Sequence, residues 1–232
     1  MKHYPVMLDI SEKPVIVVGG GKVASRKVMR LLQCGARVTV ISPRLEPELE
    51  RLADERQIDW IAEPFKESLL DRIPGAVLIF GTTDRRAVNQ KIHSTAVKRA
   101  IPCNIADVPD LCTFTAPAVV ARGDLTIAVS TGGSSPALAR RIREELEKNY
   151  GSEYAVMTKV LGDLRTLILS DQRLSSEEDR QLFFRIVDSG VLQALRENDL
   201  AEAAKILKSI LPERIDAESI LNEALRASAE KG

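Results

Sequence analysis

The chain has 232 residues, and its Lys+Arg and Asp+Glu totals are both 33. That length holds one α/β domain plus a smaller second unit, and the charge balance argues against a field drawing the chain to nucleic acid or an anionic membrane. Three cysteines (Cys34, Cys103, Cys112) without C-x-x-C spacing and two distant histidines (His3, His93) argue against a disulfide framework or a metal centre and fit a reducing, cytoplasmic setting. The opening MKHYPVMLDI is too short and polar for a secretory leader. No apolar run approaches the roughly 20 residues that span a bilayer.

In chain order, β-rich runs are predicted at Val15–Val18, Arg37–Ile41, Ile58–Ile61, Ala76–Phe80 and Ile101–Asn104. Helical spacing of apolar residues predicts helices over Val23–Gln33, Pro47–Arg56 and Arg85–Arg99, with Asp84 placed to cap the last. This alternation predicts an α/β fold with a parallel, Rossmann-like sheet covered on both faces. Cys112–Phe114 and Ala118–Val120 read as extended, and Gly123-Asp124 before Leu125–Val129 is a hairpin signal. Such a ribbon leaves edges that dimerisation would pair. Ser135 as cap and Pro136 as first helical residue start a helix over Ala137–Lys148. The remainder reads as helical, with Ser175/Glu178 and Asp199/Glu202 as capping pairs and Gly190 and Pro212 as breaks. Fraying is expected over the last dozen residues. The domains expected are therefore a nucleotide-binding unit at 1–110, a strand-plus-helix segment at 111–150 and a helical C-terminal domain at 151–232.

The first run ends in Gly19-Gly20-Gly21 and leads directly into a helix through Lys22, Val23 and Ala24. This G-x-G-x-x-A order supplies a tight turn, close backbone approach to a pyrophosphate and close packing of helix on strand. The second run ends at Ser42-Pro43-Arg44 with no acid before Glu46. Ser42 would then replace the usual ribose carboxylate, and Arg44 would stack on adenine or pair with a 2′-phosphate, which leaves NAD and NADP both open. Thr83 and Asp84 follow the fourth run and Asn104 and Asp107 the fifth, where ligands of doubly wound sheets sit. Asp107 would serve there as a general base, although Asp is also an ordinary turn residue. Thr131, Ser134 and Ser135 precede the helix that carries Arg140, Arg141 and Arg143. The helix start and these arginines suit a carboxylated substrate, while Arg141 also has Glu145 at i,i+4. Neither a Tyr-x-x-x-Lys pair, a G-x-S-x-G elbow nor a phosphate-binding lysine loop is present.

Four motifs taken together resemble the precorrin-2 dehydrogenase/sirohydrochlorin ferrochelatase family, the N-terminal module of siroheme synthases. They are Val17-Val18-Gly19-Gly20-Gly21-x-Val23-Ala24-x-Arg26-Lys27, Thr83-Asp84, Asn104-x-x-Asp107, and Ser130 to Pro136 followed by Leu138-Ala139-Arg140. The resemblance covers roughly residues 3 to 150, and its stand-alone form is expected because no methyltransferase domain follows. It implies a homodimer that uses NAD, with contacts at Lys22, Val23, Pro43 and Arg44, and an essential acid at Asp107. It also implies oxidation of precorrin-2 to sirohydrochlorin, and for some members Fe2+ insertion. The tetrapyrrole, with its eight carboxylates, is expected between the Rossmann sheet and the dimerisation segment. Thr131 departs from the serine that fused members can phosphorylate. The alternative from another class is a non-catalytic, NAD(H)-sensing dimeric binding protein; neutral charge and the lack of a basic recognition helix argue against DNA as its partner.

Overall fold

A computed structural model of the chain describes residues 3–171 and 176–230. The described residues divide into two compact units, Met1–Ala116 and Pro117–Gly232. The hairpin and the helix after it belong to the second unit together with the C-terminal helices.

The first unit is built on strands β1 (Pro14–Val18), β2 (Arg37–Ile41), β3 (Asp59–Ile61), β4 (Leu78–Gly81) and β5 (Cys103–Ile105). They form one sheet in the order β3-β2-β1-β4-β5, with every pairing parallel. Helices α1 (Lys22–Gln33), α2 (Pro47–Asp54) and α3 (Arg86–Lys98) connect the strands, and a 3-10 turn (Glu67–Arg72) joins β3 to β4. The continuous apolar runs are explained by burial on two sides. Val15, Val17, Val38 and Val40 pack with Ala24, Val28 and Leu31 of α1 and Leu49 and Leu52 of α2. Ile16, Val18, Ile41 and Ile79 face the other way, toward Leu69, Leu70, Ile92 and Ala96. The order reverses between β1 and β4, which leaves a crevice beyond the carboxyl ends of these strands, the ligand position of doubly wound sheets.

Asp84 does not cap α3. It is exposed, and the cap position falls on Arg85 without a side-chain bond. Thr83 shapes this turn instead. Its Oγ1 accepts from the Arg85 N–H at 3.3 Å and donates to Asn89 Oδ1 at 2.8 Å, while Asn89 Nδ2 returns a bond to the Thr83 carbonyl at 2.9 Å. Residue 89 is 4% exposed, so a pairing within the turn satisfies the buried amide. The stretch Cys112–Phe114 is held beside β5 by the Thr113 N–H on the Cys103 carbonyl (2.8 Å), yet forms no ladder.

In the second unit, β6 (Ala118–Arg122) and β7 (Leu125–Val129) form the expected antiparallel ribbon. Gly123 takes φ +57 in the two-residue turn. Helix α4 (Pro136–Asn149) starts as the sequence predicts: Ser135 Oγ accepts from the Leu138 N–H at 3.2 Å. Its other end is closed by Arg122, whose guanidinium donates to the carbonyls of Tyr150 (2.9 Å) and Glu147 (3.3 Å). Helices α5 (Glu153–Asp171), α6 (Ser176–Val187), α7 (Val191–Arg196), α8 (Leu200–Ile210) and α9 (Ala217–Glu230) share a core around Val160, Leu164, Ile186, Val191, Leu207 and Ala224. Asp199 caps α8 by accepting from the Glu202 N–H at 3.0 Å. The expected Ser175 cap lies outside the described residues. Helix α9 runs through Glu230, with Leu221 and Ala224 in the core.

Candidate functional site

The three glycines after β1 have three different tasks. Gly19 takes φ +121, and a Cβ there would stand 2.4 Å from Thr82 Oγ1. At Gly20 a Cβ would stand 2.0 Å from the Arg44 carbonyl oxygen, and the Gly20 carbonyl accepts from the Glu46 N–H at 2.8 Å. Gly20 therefore joins the β1 and β2 ends of the sheet and has a packing role. At Gly21 a Cβ would meet nothing within 4 Å. Gly21 is the cap of α1 in extended backbone, with no side chain bonded to the cap and no acid in the first turn. The N–H groups from Gly21 through Val23 thus open onto free space at the positive end of a helix dipole. That cradle fits a pyrophosphate, so the residues present suit a dinucleotide.

Beyond β2, Pro43 and Arg44 are exposed, and Arg44 makes no ion pair among the described residues. Both remain available to an adenosine. Ser42, expected at the ribose, is engaged within its own loop. It is 7% exposed and its hydroxyl donates to the Arg44 carbonyl at 2.7 Å, while its own carbonyl accepts from Trp60 Nε1 at 2.9 Å. Its bonds shape the loop that Gly20 supports. Thr83 is likewise engaged with Asn89, and Asp84 stands exposed at the rim.

Asn104 is also occupied. Its Oδ1 accepts from the Lys27 ammonium at 3.2 Å, and its Nδ2 donates to the Phe114 carbonyl at 3.1 Å. Its amide holds the strand exit in place and has no free arm aimed at a cofactor. Asp107, three residues on, is exposed at φ +60 in the turn that the Val108 N–H closes on the Ile105 carbonyl (3.3 Å). Non-glycine residues take this backbone seldom, and Asp is among those that tolerate it. Of the other such residues, Arg56 after α2, Ala100 after α3 and Asn198 after α7 follow helix ends, where this conformation is routine, and Glu12 lies in the turn before β1. Asp107 follows a strand at the sheet's carboxyl edge, where strain often accompanies function.

Lys27 was missed as a site residue, though it stands in the glycine motif. It is half-buried, 4.9 Å from the Phe80 ring centroid, and has no carboxylate partner among the described residues. Burial pushes its pKa below the usual lysine value; Cys112 and Asp107 oppose the shift, and the neighbouring Arg30 and Arg26 add to it. The sequence signal was there: a lysine beside the inner stripe Ala24, Val28, Leu31 of an amphipathic helix.

In the second unit, the Thr131 hydroxyl closes a ring on Ser135, accepting from its N–H and donating to its carbonyl, both at 3.0 Å. The Ser135 hydroxyl is the α4 cap, and Ser134 is exposed. Arg140 is not an unpaired anion ligand. It pairs with Glu144 at 2.8 Å, as Arg141 does with Glu145 and Arg143 with Glu147, so all three arginines take the ordinary i,i+4 role. The exposed Arg140 and Arg141 pairs are screened by solvent and yield readily to a competing carboxylate. Among the described residues no group of three or more His, Cys, Asp or Glu is placed to hold a metal ion, and no helix is long and apolar enough to cross a membrane.

Comparison with known proteins fits this geometry. A family described as "Putative NAD(P)-binding" matches residues 6–118, and one described as "Sirohaem biosynthesis protein central" matches residues 122–149. The solved structure of SirC, precorrin-2 dehydrogenase, superimposes with a TM-score of 0.74 at 30% identity, over 90% of this chain and 98% of that one. The chain belongs to the precorrin-2 dehydrogenase family. Among curated relatives, the siroheme synthase of Methylobacillus flagellatus is 38% identical over 205 residues, which are 88% of this chain and 43% of the relative. Siroheme synthase 1 of Aeromonas salmonicida is 36% identical over 218 residues, 94% of this chain and 46% of the relative. The chain thus spans less than half the length of these siroheme synthases.

Proposed function

We propose that this member of the family oxidises precorrin-2 to sirohydrochlorin with NAD+ as acceptor. The observation that carries the reading is the Asp107 carboxylate held at φ +60 beyond β5, in the same unit as the uncapped α1 start at Gly21. The reaction removes two electrons and two hydrogens from the macrocycle. NAD+, when bound, supplies the acceptor for one hydrogen with its electron pair. Asp107 takes the other as a proton and returns it to water, so sirohydrochlorin, NADH and H+ balance the equation. The N–H groups of Gly21, Lys22 and Val23 hold the pyrophosphate, and Pro43 and Arg44 border the adenosine. Ser134, exposed beside the α4 start, and Arg140, once released from Glu144, meet substrate carboxylates. A homodimer built on β6 and β7 would pair the strand edges that the two-stranded ribbon leaves open. The free cysteines accord with a reducing compartment.

The test is NADH formation from purified protein, NAD+ and precorrin-2, in the natural chain and in Asp107→Asn. Asn keeps the left-handed backbone without strain and removes the base. Turnover should fall by about a hundredfold or more, while the Kd for NADH stays within about threefold, since no part of the α1 cradle changes. Near-normal turnover in Asp107→Asn rejects the role of that carboxylate. An NAD(H) sensor would bind the nucleotide and leave precorrin-2 unchanged. Adding sirohydrochlorin and Fe2+ tests iron insertion separately, and a rate equal to the protein-free control eliminates it.

A further inference from the structure

We propose that Lys27 is a positioning residue for the Asp107 turn, acting through Asn104 and Cys112; this rests on the reading of Asp107 as the base. Lys27 lies on α1, the helix whose first turn forms the pyrophosphate cradle, and 77 residues separate it from Asn104. An ammonium only donates, so its 3.2 Å bond fixes Oδ1 as the amide atom facing α1. Nδ2 must then face the other way, toward the Phe114 carbonyl (3.1 Å) and the Cys112 sulfur (3.7 Å). Cys112 in turn grips both sides of the turn. Its Sγ accepts from the Ile105 N–H at 3.2 Å, and its S–H faces the carbonyls of Ile105 (3.3 Å) and Val108 (3.4 Å). Asp107 lies between these two residues. The ammonium lies over the Phe80 ring, 4.9 Å from its centroid, and Phe114 packs edge to face on that ring at 5.4 Å.

A half-buried cation without an ion pair is costly, and an apolar side chain would fill the same space more cheaply. What the charge adds is a one-way hydrogen bond that cannot flip. It selects one orientation of the Asn104 amide and with it one geometry of the strand exit. The cofactor cradle and the base are thereby registered to each other through a single helix and a single amide. A misplacement of the base of about 1 Å costs about a hundredfold in rate, so the link belongs to kcat rather than to binding.

The test uses Lys27→Met, which keeps the stem over Phe80, and Lys27→Arg, which keeps a cation able to reach Asn104. Amide hydrogen exchange of Ile105 and Val108 is measured without ligand, alongside NADH affinity and precorrin-2 kinetics. In Lys27→Met those two amides should exchange about tenfold faster or more, from loss of the charge-assisted bond, while the β1 and β2 amides are unchanged. NADH Kd should stay within about threefold and kcat should fall about tenfold to a hundredfold, with KM moving far less. Lys27→Arg should restore both exchange and kcat. Unchanged exchange in Lys27→Met overturns the link. Faster exchange with kcat within about twofold of the natural chain reduces Lys27 to a structural residue and overturns its positioning role. If the natural chain itself fails to turn over precorrin-2, the proposed function fails, and the exchange measurement still decides whether Lys27 holds the turn.

Discussion

A side-chain carbon on Gly20 would fall 2.0 Å from the backbone carbonyl oxygen of Arg44, whereas one on Gly21 would meet nothing within 4 Å. Adjacent glycines of one motif therefore stand under different constraints: the first under the packing of two strand ends, the second under none that its protein neighbours impose. Gly20→Ala should force the β2 exit away and destabilise the first unit by about 3 kcal/mol or more, because backbone cannot yield as a flexible side chain can. Gly21→Ala, in extended backbone at the α1 cap, should change stability by less than about 1 kcal/mol yet weaken NADH binding about tenfold or more, since its methyl enters the pyrophosphate space. Thermal melts and NADH fluorescence titrations separate the two. Equal effects of both variants on stability would contradict this division.

Thr131 offers a test in the second unit. Its hydroxyl makes two 3.0 Å bonds with the backbone of Ser135, the residue that caps α4. Thr131→Ala should cost about 1–2 kcal/mol by urea denaturation, and Thr131→Ser should retain nearly all of it. A phosphoryl group on this oxygen would remove the hydrogen that the Ser135 carbonyl accepts. Modification would therefore cost the bond to the Ser135 carbonyl.

Glu153 gives the second unit a defined acid response. Burial pushes its pKa up, but hydrogen bonds from its own backbone N–H, from the Arg196 guanidinium (3.0 Å) and from the Gly151 N–H (3.3 Å) outweigh burial and hold it below the ordinary 4.5. A carboxyl whose folded pKa is depressed binds its proton first in the unfolded chain. The stability it contributes is complete above the unfolded value and is lost as pH falls through the folded one. Relative to the natural chain, Glu153→Gln should be destabilised by about 1 kcal/mol near neutrality, and the two should converge as pH falls below 4.5 and through the depressed folded value. Urea midpoints at a series of pH values check this, and a gap that stays constant with pH would refute it.

Much of the architecture was legible in the residue pattern. The β2 bounds Arg37–Ile41, the Ser135 cap, the Gly123 turn and the β–α alternation all rest on local rules, where a residue's role depends on neighbours within a few positions. The pairing of Arg141 with Glu145 was local too, and its spacing pointed to it, whereas Arg140, read as an anion ligand, pairs with Glu144 in the same way. Roles of polar side chains at the sheet's carboxyl edge were another matter. Ser42 and Asn104 have the right chemistry and position for cofactor contacts, but the fold directs their hydrogen bonds inward, Ser42 to the Arg44 carbonyl and Asn104 to Lys27 and Phe114. Asp84 does not cap α3, whose cap position falls on Arg85, and the turn before it is shaped by Thr83 through Asn89. The sequence by itself determined which segments become strands and helices and where a nucleotide's phosphates can approach. Only the tertiary structure decided which polar groups remain free to meet a ligand, because each buried donor or acceptor must find a partner and that partner is set by three-dimensional proximity rather than by spacing along the chain.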